Sequence, residues 1–231
     1  MSAASGLRVL VVEDSLFGRE VLCSLLEQQG YEVTAVENGA DGVAAAAARE
    51  FDLVLLDIEL PDTDGTTVAT AIRAERPSVP VLAVTGHSSD ELIERCADAG
   101  MDGFLSKPIR PKELFLAMEA AMGRRLRSRA LSNLGGDPGL LAKVVAAFRE
   151  ETPRLLDGIR SAIATRDAER LRRLSHTLHG SIRYFDAPRA AAWALRLEEM
   201  ARAADLSGAE EAAAALAEEC AQLDSRLANP A

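Results

Sequence analysis

Over residues 1–123 the chain alternates five times between a short apolar run and a helix-length amphipathic stretch, and few folds can absorb that rhythm. The runs are Arg8 to Val12, Glu32 to Val36, Leu53 to Asp57, Val79 to Thr85 and Gly103 to Ser106. The helical stretches between and after them are Leu16 to Gln29, Ala40 to Arg49, Thr66 to Glu75, Asp90 to Ala99 and Pro111 to Met122. Runs such as Val9-Leu10-Val11-Val12 and Leu53-Val54-Leu55-Leu56 are apolar at every position, without the alternation of a half-exposed strand. A strand that is apolar on both faces must be covered on both, which calls for a parallel sheet with helices on each side. The predicted first domain, residues 1–127, is therefore a doubly wound α/β domain on a five-stranded parallel sheet.

No strand pattern returns after Met122. A basic and then glycine-rich passage from Arg124 to Gly136 reads as the fraying end of a helix that passes into a linker at 128–136. Asp137-Pro138 then supplies an N-cap and a proline at the first helical position. Helical stretches follow at about 138–164, 168–184, 188–204 and 208–227, the last opened by Ser207 and Glu210 as a capping box. Short loops between them make neighbours antiparallel, so residues 137–231 are expected to form a four-helix bundle. The fold class is α/β plus all-α. Aromatic residues make up only 4%, which leaves Leu, Val and Ala to fill both cores.

Charge and hydropathy narrow the function classes. The net charge of −10 resides in the first half, and the second half is weakly basic. With no basic stripe and no interleaved aromatics, nucleic acid is not an expected partner. The longest apolar runs, Val81 to Val84 and Ala44 to Ala48, fall far short of the ~20 residues a membrane span requires. The start, Met1 to Gly6, lacks a leader's basic region, so no membrane association and a cytoplasmic location are expected. Cys23, Cys96 and Cys220 have no paired spacing and read as reduced, buried thiols.

In a doubly wound sheet the chemistry lies at the carboxyl ends of the strands. Here those ends carry Glu13 and Asp14, Asp57, Thr85 and Lys107. Three clustered carboxylates repel one another unless a cation neutralises them, and an all-oxygen ligand set favours Mg²⁺. Such a metal, with Lys107 and the Thr85 hydroxyl, supplies what phosphoryl transfer to a carboxylate needs, and Asp57 is the best-placed nucleophile. A phosphatase or mutase on a similar sheet is the enzymatic alternative, although such enzymes normally carry cap segments for which this stretch has no room.

Glu13-Asp14-Ser15, Asp57 with Pro61 and Gly65, Thr85, and Lys107-Pro108 together resemble a response-regulator receiver over residues 7–123. The resemblance implies that Asp57 is the phosphoacceptor. It also implies that Asp14 and Asp57 bind Mg²⁺ by side chains, Glu13 through water and Glu59 by its backbone carbonyl. Thr85 and Lys107 would grip the phosphoryl group, Phe104 would be the aromatic switch, and Lys107-Pro108 would be a cis peptide.

On a helical wheel from Arg170 to Phe185, Leu171, Leu174, Leu178, Ile182 and Phe185 form the core stripe opposite His176. Arg172, His179, Gly180 and Arg183 share the histidine's polar face and read as a docking surface. His176-Thr177-Leu178-His179-Gly180-Ser181 resembles the signature of histidine-phosphotransfer (HPt) domains, which makes His176 a phosphoacceptor. The family usually has lysine where this chain has His179, and often glycine where it has Asp186. There is no ATP-binding motif and no kinase domain. Phosphate is therefore expected from an upstream histidine kinase, with other receiver or phosphotransfer domains as partners and Mg²⁺-dependent transfer to Asp57 and His176. The alternative is a binding regulator or phosphate sink in which His176 is not a productive relay site.

Overall fold

The computed structural model describes residues 6–86 and 89–228. Met1–Ser5, read above for the lack of a leader, and the last residues of the helical domain lie outside the described residues. The chain divides into two compact units, Met1–Arg125 and Leu126–Ala231.

In the first unit, strands β1 (Arg8–Val12), β2 (Glu32–Val36), β3 (Leu53–Asp57), β4 (Val81–Thr85) and β5 (Gly103–Ser106) form one parallel sheet in the order β2-β1-β3-β4-β5. Helices α1 (Leu16–Glu27), α2 (Gly39–Ala48), α3 (Gly65–Glu75), α4 (Asp90–Asp98) and α5 (Pro111–Asn133) alternate with the strands. The pleat sorts the apolar runs onto two faces. Val9, Val11, Leu53, Leu55, Leu82 and Val84 pack with Leu22 and Leu26 of α1 and Leu114 and Met118 of α5. Leu10, Val12, Val54, Leu56, Val81 and Ala83 pack with Ala46 of α2, Val68 and Ile72 of α3 and Cys96 of α4. This is why the runs are apolar throughout. Strand β4 begins at Val81 and not at the expected Val79, because Pro80 has no N–H to give the ladder and offers only its carbonyl, to Val54 N.

In the second unit, α6 (Pro138–Ala164), α7 (Ala168–Arg183), α8 (Pro188–Arg202) and α9 (Ala209–Ala228) form the expected bundle, with α6 and α8 each packed on both α7 and α9. Leu171, Leu178, Ile182 and Phe185 are fully buried, and Leu174 is partly so. The last helix starts at Ala209 without the expected capping box. Gly208, at φ 82°, holds the cap position, and the Ser207 amide donates to Asp205 Oδ1.

The expected linker is largely helix: α5 continues unbroken to Asn133, and only 134–136 separate it from the Asp137 cap. The arginines that read as the fraying end of a helix are each engaged. Arg124 donates to Asp102 O, and Arg125 pairs with Asp102 Oδ1 at 2.7 Å and bonds Gly100 O. Arg127 donates to Leu227 O and Arg129 pairs with Asp186. Ala130 is fully buried in the core of the second unit.

Asp102 is the hub of the first unit's ion network. Its carboxylate, 10% exposed, accepts from Val81 N at 2.9 Å, pairs with Arg125, and bonds Arg73, itself only 13% exposed. Asp102→Ala leaves two guanidinium groups short of their counter-charge and a strand N–H without its acceptor. We expect it to destabilise the first unit by about 3 kcal/mol, measured as the shift of that unit's urea transition.

Among the described residues, three non-glycine residues hold left-handed backbone: Arg166 (φ 53°), Asp186 (φ 51°) and Ala204 (φ 54°), each just past the end of a helix. At Ala204 the Asp205 N–H reaches back to Met200 O, a Schellman closure that normally employs glycine. Ala204→Gly should therefore stabilise the bundle by about 1 kcal/mol, read as a rise in its melting temperature.

Candidate functional site

The sheet brings the acidic residues of the first unit to one rim. Beyond β1 the chain turns sharply into α1, with Ser15 as N-cap accepting from Gly18 N. Arg19 of α1 ties the turn by donating to Glu13 O and Asp14 O at 2.8 and 2.7 Å. Asp57 ends β3 and is 3% exposed; its Oδ1 accepts from Glu59 N at 2.9 Å. Carboxylate oxygens of Glu13, Asp14 and Asp57 lie within 4.8 Å of one another.

Lys107 follows β5 directly, its N–H bonded to Thr85 O, and precedes the cis peptide to Pro108. Its ammonium lies 2.7 Å from Asp57 Oδ2 and 2.8 Å from both oxygens of Glu13. Alignment for a hydrogen bond exists only toward Glu13 Oε1, and Oε2 is left buried without a hydrogen-bond partner. One ammonium thus faces two buried carboxylates, with the exposed Asp14 beside them. Burial raises the Glu13 carboxyl above its ordinary value; the Lys107 hydrogen bond opposes this and the Asp57 charge adds to it. Burial alone would lower the Lys107 ammonium, but its bonds to Asp57 and Glu13 outweigh that and hold it above its ordinary value. Three clustered carboxylates against a single ammonium are an excess of charge that a hard divalent cation would relieve, so the donor set fits Mg²⁺.

Thr85, at the end of β4, is 2% exposed, whereas Phe104 on β5 is 41% exposed. Glu59 is exposed, and a bridge to Asp64 closes the loop that carries it. Gly65 is required there. A Cβ at this position would sit 2.4 Å from Asp57 O and 2.7 Å from Ile58 Cα, so any side chain would push the loop away from the strand that holds Asp57.

The second site is on α7. His176 is 72% exposed, and its Nδ1 lies 3.2 Å from Oε2 of Glu198 on α8. Glu198 is only 7% exposed, and its other oxygen accepts from Arg202 at 2.9 Å. Gly180, one turn beyond His176, is open: a Cβ there would meet nothing within 4 Å, so the domain's own packing does not demand a glycine. Of the other residues on this face, Arg183 is exposed and His179 is half-buried. Arg172 is committed to Glu169 through two hydrogen bonds.

The sequence matches the family of response regulator receiver domains over residues 9–119 and the Hpt domain family over residues 143–226. A solved CheY-like receiver domain from Methanospirillum hungatei superposes with a TM-score of 0.51 at 30% identity, covering 54% of this chain and 99% of that one. The chain belongs to the response regulator receiver family and carries an Hpt domain behind the receiver. The transcriptional regulatory protein PdtaR of Mycobacterium tuberculosis is 32% identical over 165 residues, covering 71% of this chain and 76% of that protein. The sensor histidine kinase AruS of Pseudomonas aeruginosa is 32% identical over 196 residues, covering 77% of this chain but only 20% of the kinase. The chain joins a receiver to an Hpt module and spans about a fifth of the length of the sensor kinases it matches.

In the receiver, the strand ends gather every acidic residue expected there. In the Hpt domain, Glu198 and Arg202 are the residues that a wheel drawn for α7 alone misses. The available signal was a charge in an apolar seam: Ala190, Ala194, Leu197 and Ala201 mark the buried face of α8, and Glu198 falls on it, four residues from Ala194.

Proposed function

We propose that the chain is a phosphorelay intermediate in which Asp57 and His176 exchange a phosphoryl group, supplied by an upstream histidine kinase or drained by other receiver or phosphotransfer domains. What carries this reading is the presence, in one chain, of a buried carboxylate held by a lysine among further carboxylates and an exposed imidazole held by a buried glutamate.

Asp14 and Asp57 would hold Mg²⁺ by their side chains, Glu59 by its carbonyl and Glu13 through water; the ion supplies charge neutralisation for the transferring phosphoryl group. Asp57 Oδ2 is the nucleophilic oxygen and Lys107 follows it, already within 2.7 Å, to balance the added charge. Thr85 would take a phosphoryl oxygen as a hydroxyl donor, and the exposed Phe104 ring is the group able to change place in response. In the Hpt domain, Glu198 accepts the Nδ1 proton of His176, so the Nε2 lone pair faces solvent and a docked receiver. Arg172, His179, Gly180 and Arg183 form the docking face, with Gly180 leaving room for close approach.

Among the described residues no helix is long and apolar enough to cross a membrane. Together with three unpaired cysteines and an acidic receiver, this supports a cytoplasmic protein whose partners are other signalling proteins and not nucleic acid or membrane. The test is loading by acetyl phosphate. Alkali-labile phosphate should appear on the receiver in Mg²⁺ and be lost when the metal is chelated; metal-independent loading would contradict the carboxylate reading.

A further inference from the structure

The Hpt signature of this chain lacks the lysine its family usually places three residues after the phosphoacceptor, and the three cations that share the docking face with His176 do not hold that ring. Arg172 is bound to Glu169, His179 is half-buried, and Arg183 lies two turns away from His176. The cation that the structure ties to the histidine comes from α8. Glu198 holds His176 Nδ1 on one carboxylate oxygen and Arg202 on the other. Arg202 is the last residue of α8, where the helix dipole favours a cation, and its side chain is 63% exposed.

We infer that Arg202 is the positioning residue that allows Glu198 to orient His176 without repelling the phosphoryl group His176 receives. The inference rests on the phosphoacceptor role proposed above for His176. In the transfer, the Nε2 lone pair forms the N–P bond while the bond from phosphorus to the donor's Asp carboxylate oxygen breaks, and that electron pair leaves with the carboxylate. The Nδ1 proton stays in place, so the ring becomes a phosphoimidazolium facing Glu198. A dianionic phosphoryl group is thereby set within one imidazole's width of a carboxylate that is 93% shielded from water, where charges interact far more strongly than in solvent. Glu198 is useful to His176 only if its charge is balanced from the side away from the ring. Arg202 holds the carboxylate oxygen that does not face the ring, and most of its guanidinium N–H donors are left to solvent.

The experiment compares full-length wild type, Arg202→Ala, Arg202→Lys, Glu198→Gln and the Glu198→Gln/Arg202→Ala double variant. Each is loaded with acetyl phosphate and Mg²⁺ and followed for acid-labile, alkali-stable label on His176. Arg202→Ala should reduce the amount of His176 label relative to Asp57 label about tenfold, and Arg202→Lys should recover most of it. The double variant should resemble Glu198→Gln alone, because an uncharged residue 198 leaves Arg202 nothing to balance. A purely structural Arg202 would give additive losses in the double variant instead, and that result overturns the inference. Wild-type labelling at His176 with unchanged labelling in Arg202→Ala overturns it while leaving the phosphoacceptor intact. No label on wild-type His176 at full Asp57 loading overturns both.

Discussion

Asp57→Asn is expected to abolish phosphorylation of the receiver, with a fall of at least about a thousandfold, the scale on which removing a nucleophile acts. The amide has no carboxylate lone pair to attack phosphorus, and no other carboxylate in the cluster has Asp57's surroundings. Asp14 is exposed, and Glu13, which shares Lys107 with Asp57, has no backbone N–H anchoring its carboxylate as Glu59 N anchors Asp57. The substitution should not unfold the domain. It removes one of three mutually repelling charges within 4.8 Å, and the Asn side-chain oxygen can still accept from Glu59 N. The measurement is alkali-labile phosphate after acetyl phosphate treatment, with circular dichroism as the control for folding. Full alkali-labile loading in the variant would place the acceptor on another residue.

His176→Gln is the second large effect. It should remove all acid-labile label from the Hpt domain while shifting stability by no more than about 0.5 kcal/mol, as for most changes at exposed positions. The side chain is 72% exposed, and the Gln amide can still donate to Glu198, so the buried carboxylate keeps a partner. His179 does not take over. It is half-buried and lacks the glutamate that orients the ring of His176. Phosphate analysis of the two single variants side by side, with thermal melts of each, separates lost chemistry from lost fold.

Much of this was legible in the sequence because buried parallel strands write their environment plainly: a run such as Leu53-Val54-Leu55-Leu56 is apolar on both pleat faces, and the polar residue that ends it lands on the functional rim. The wheel for α7 placed Leu171, Leu178 and Ile182 inside and His176 outside for the same reason. What failed were inferences that treated a segment alone. The arginines from Arg124 to Arg129 read as a fraying helix end because their partners, Asp102, Gly100, Leu227 and Asp186, lie 20 or more residues away in sequence. Glu198 was missed because its partner lies on a neighbouring helix. Asp186, where the family often has glycine, does adopt the left-handed backbone a glycine would favour, and its carboxylate is engaged by Arg129. Local pattern reports the face a residue occupies; only packing reports which residue meets it there.

The central claim is that the two sites exchange phosphate, and ³¹P NMR of the full-length chain with acetyl phosphate and Mg²⁺ tests it most directly. The account predicts two protein-bound signals in the wild type, an acyl phosphate and a phosphoramidate. The acyl phosphate should persist alone in His176→Gln, and both should be absent from Asp57→Asn. A phosphoramidate signal that survives in either variant would contradict the account. So would a wild-type chain that carries phosphate on Asp57 to saturation and never on His176, the behaviour of a phosphorylation-controlled binding regulator.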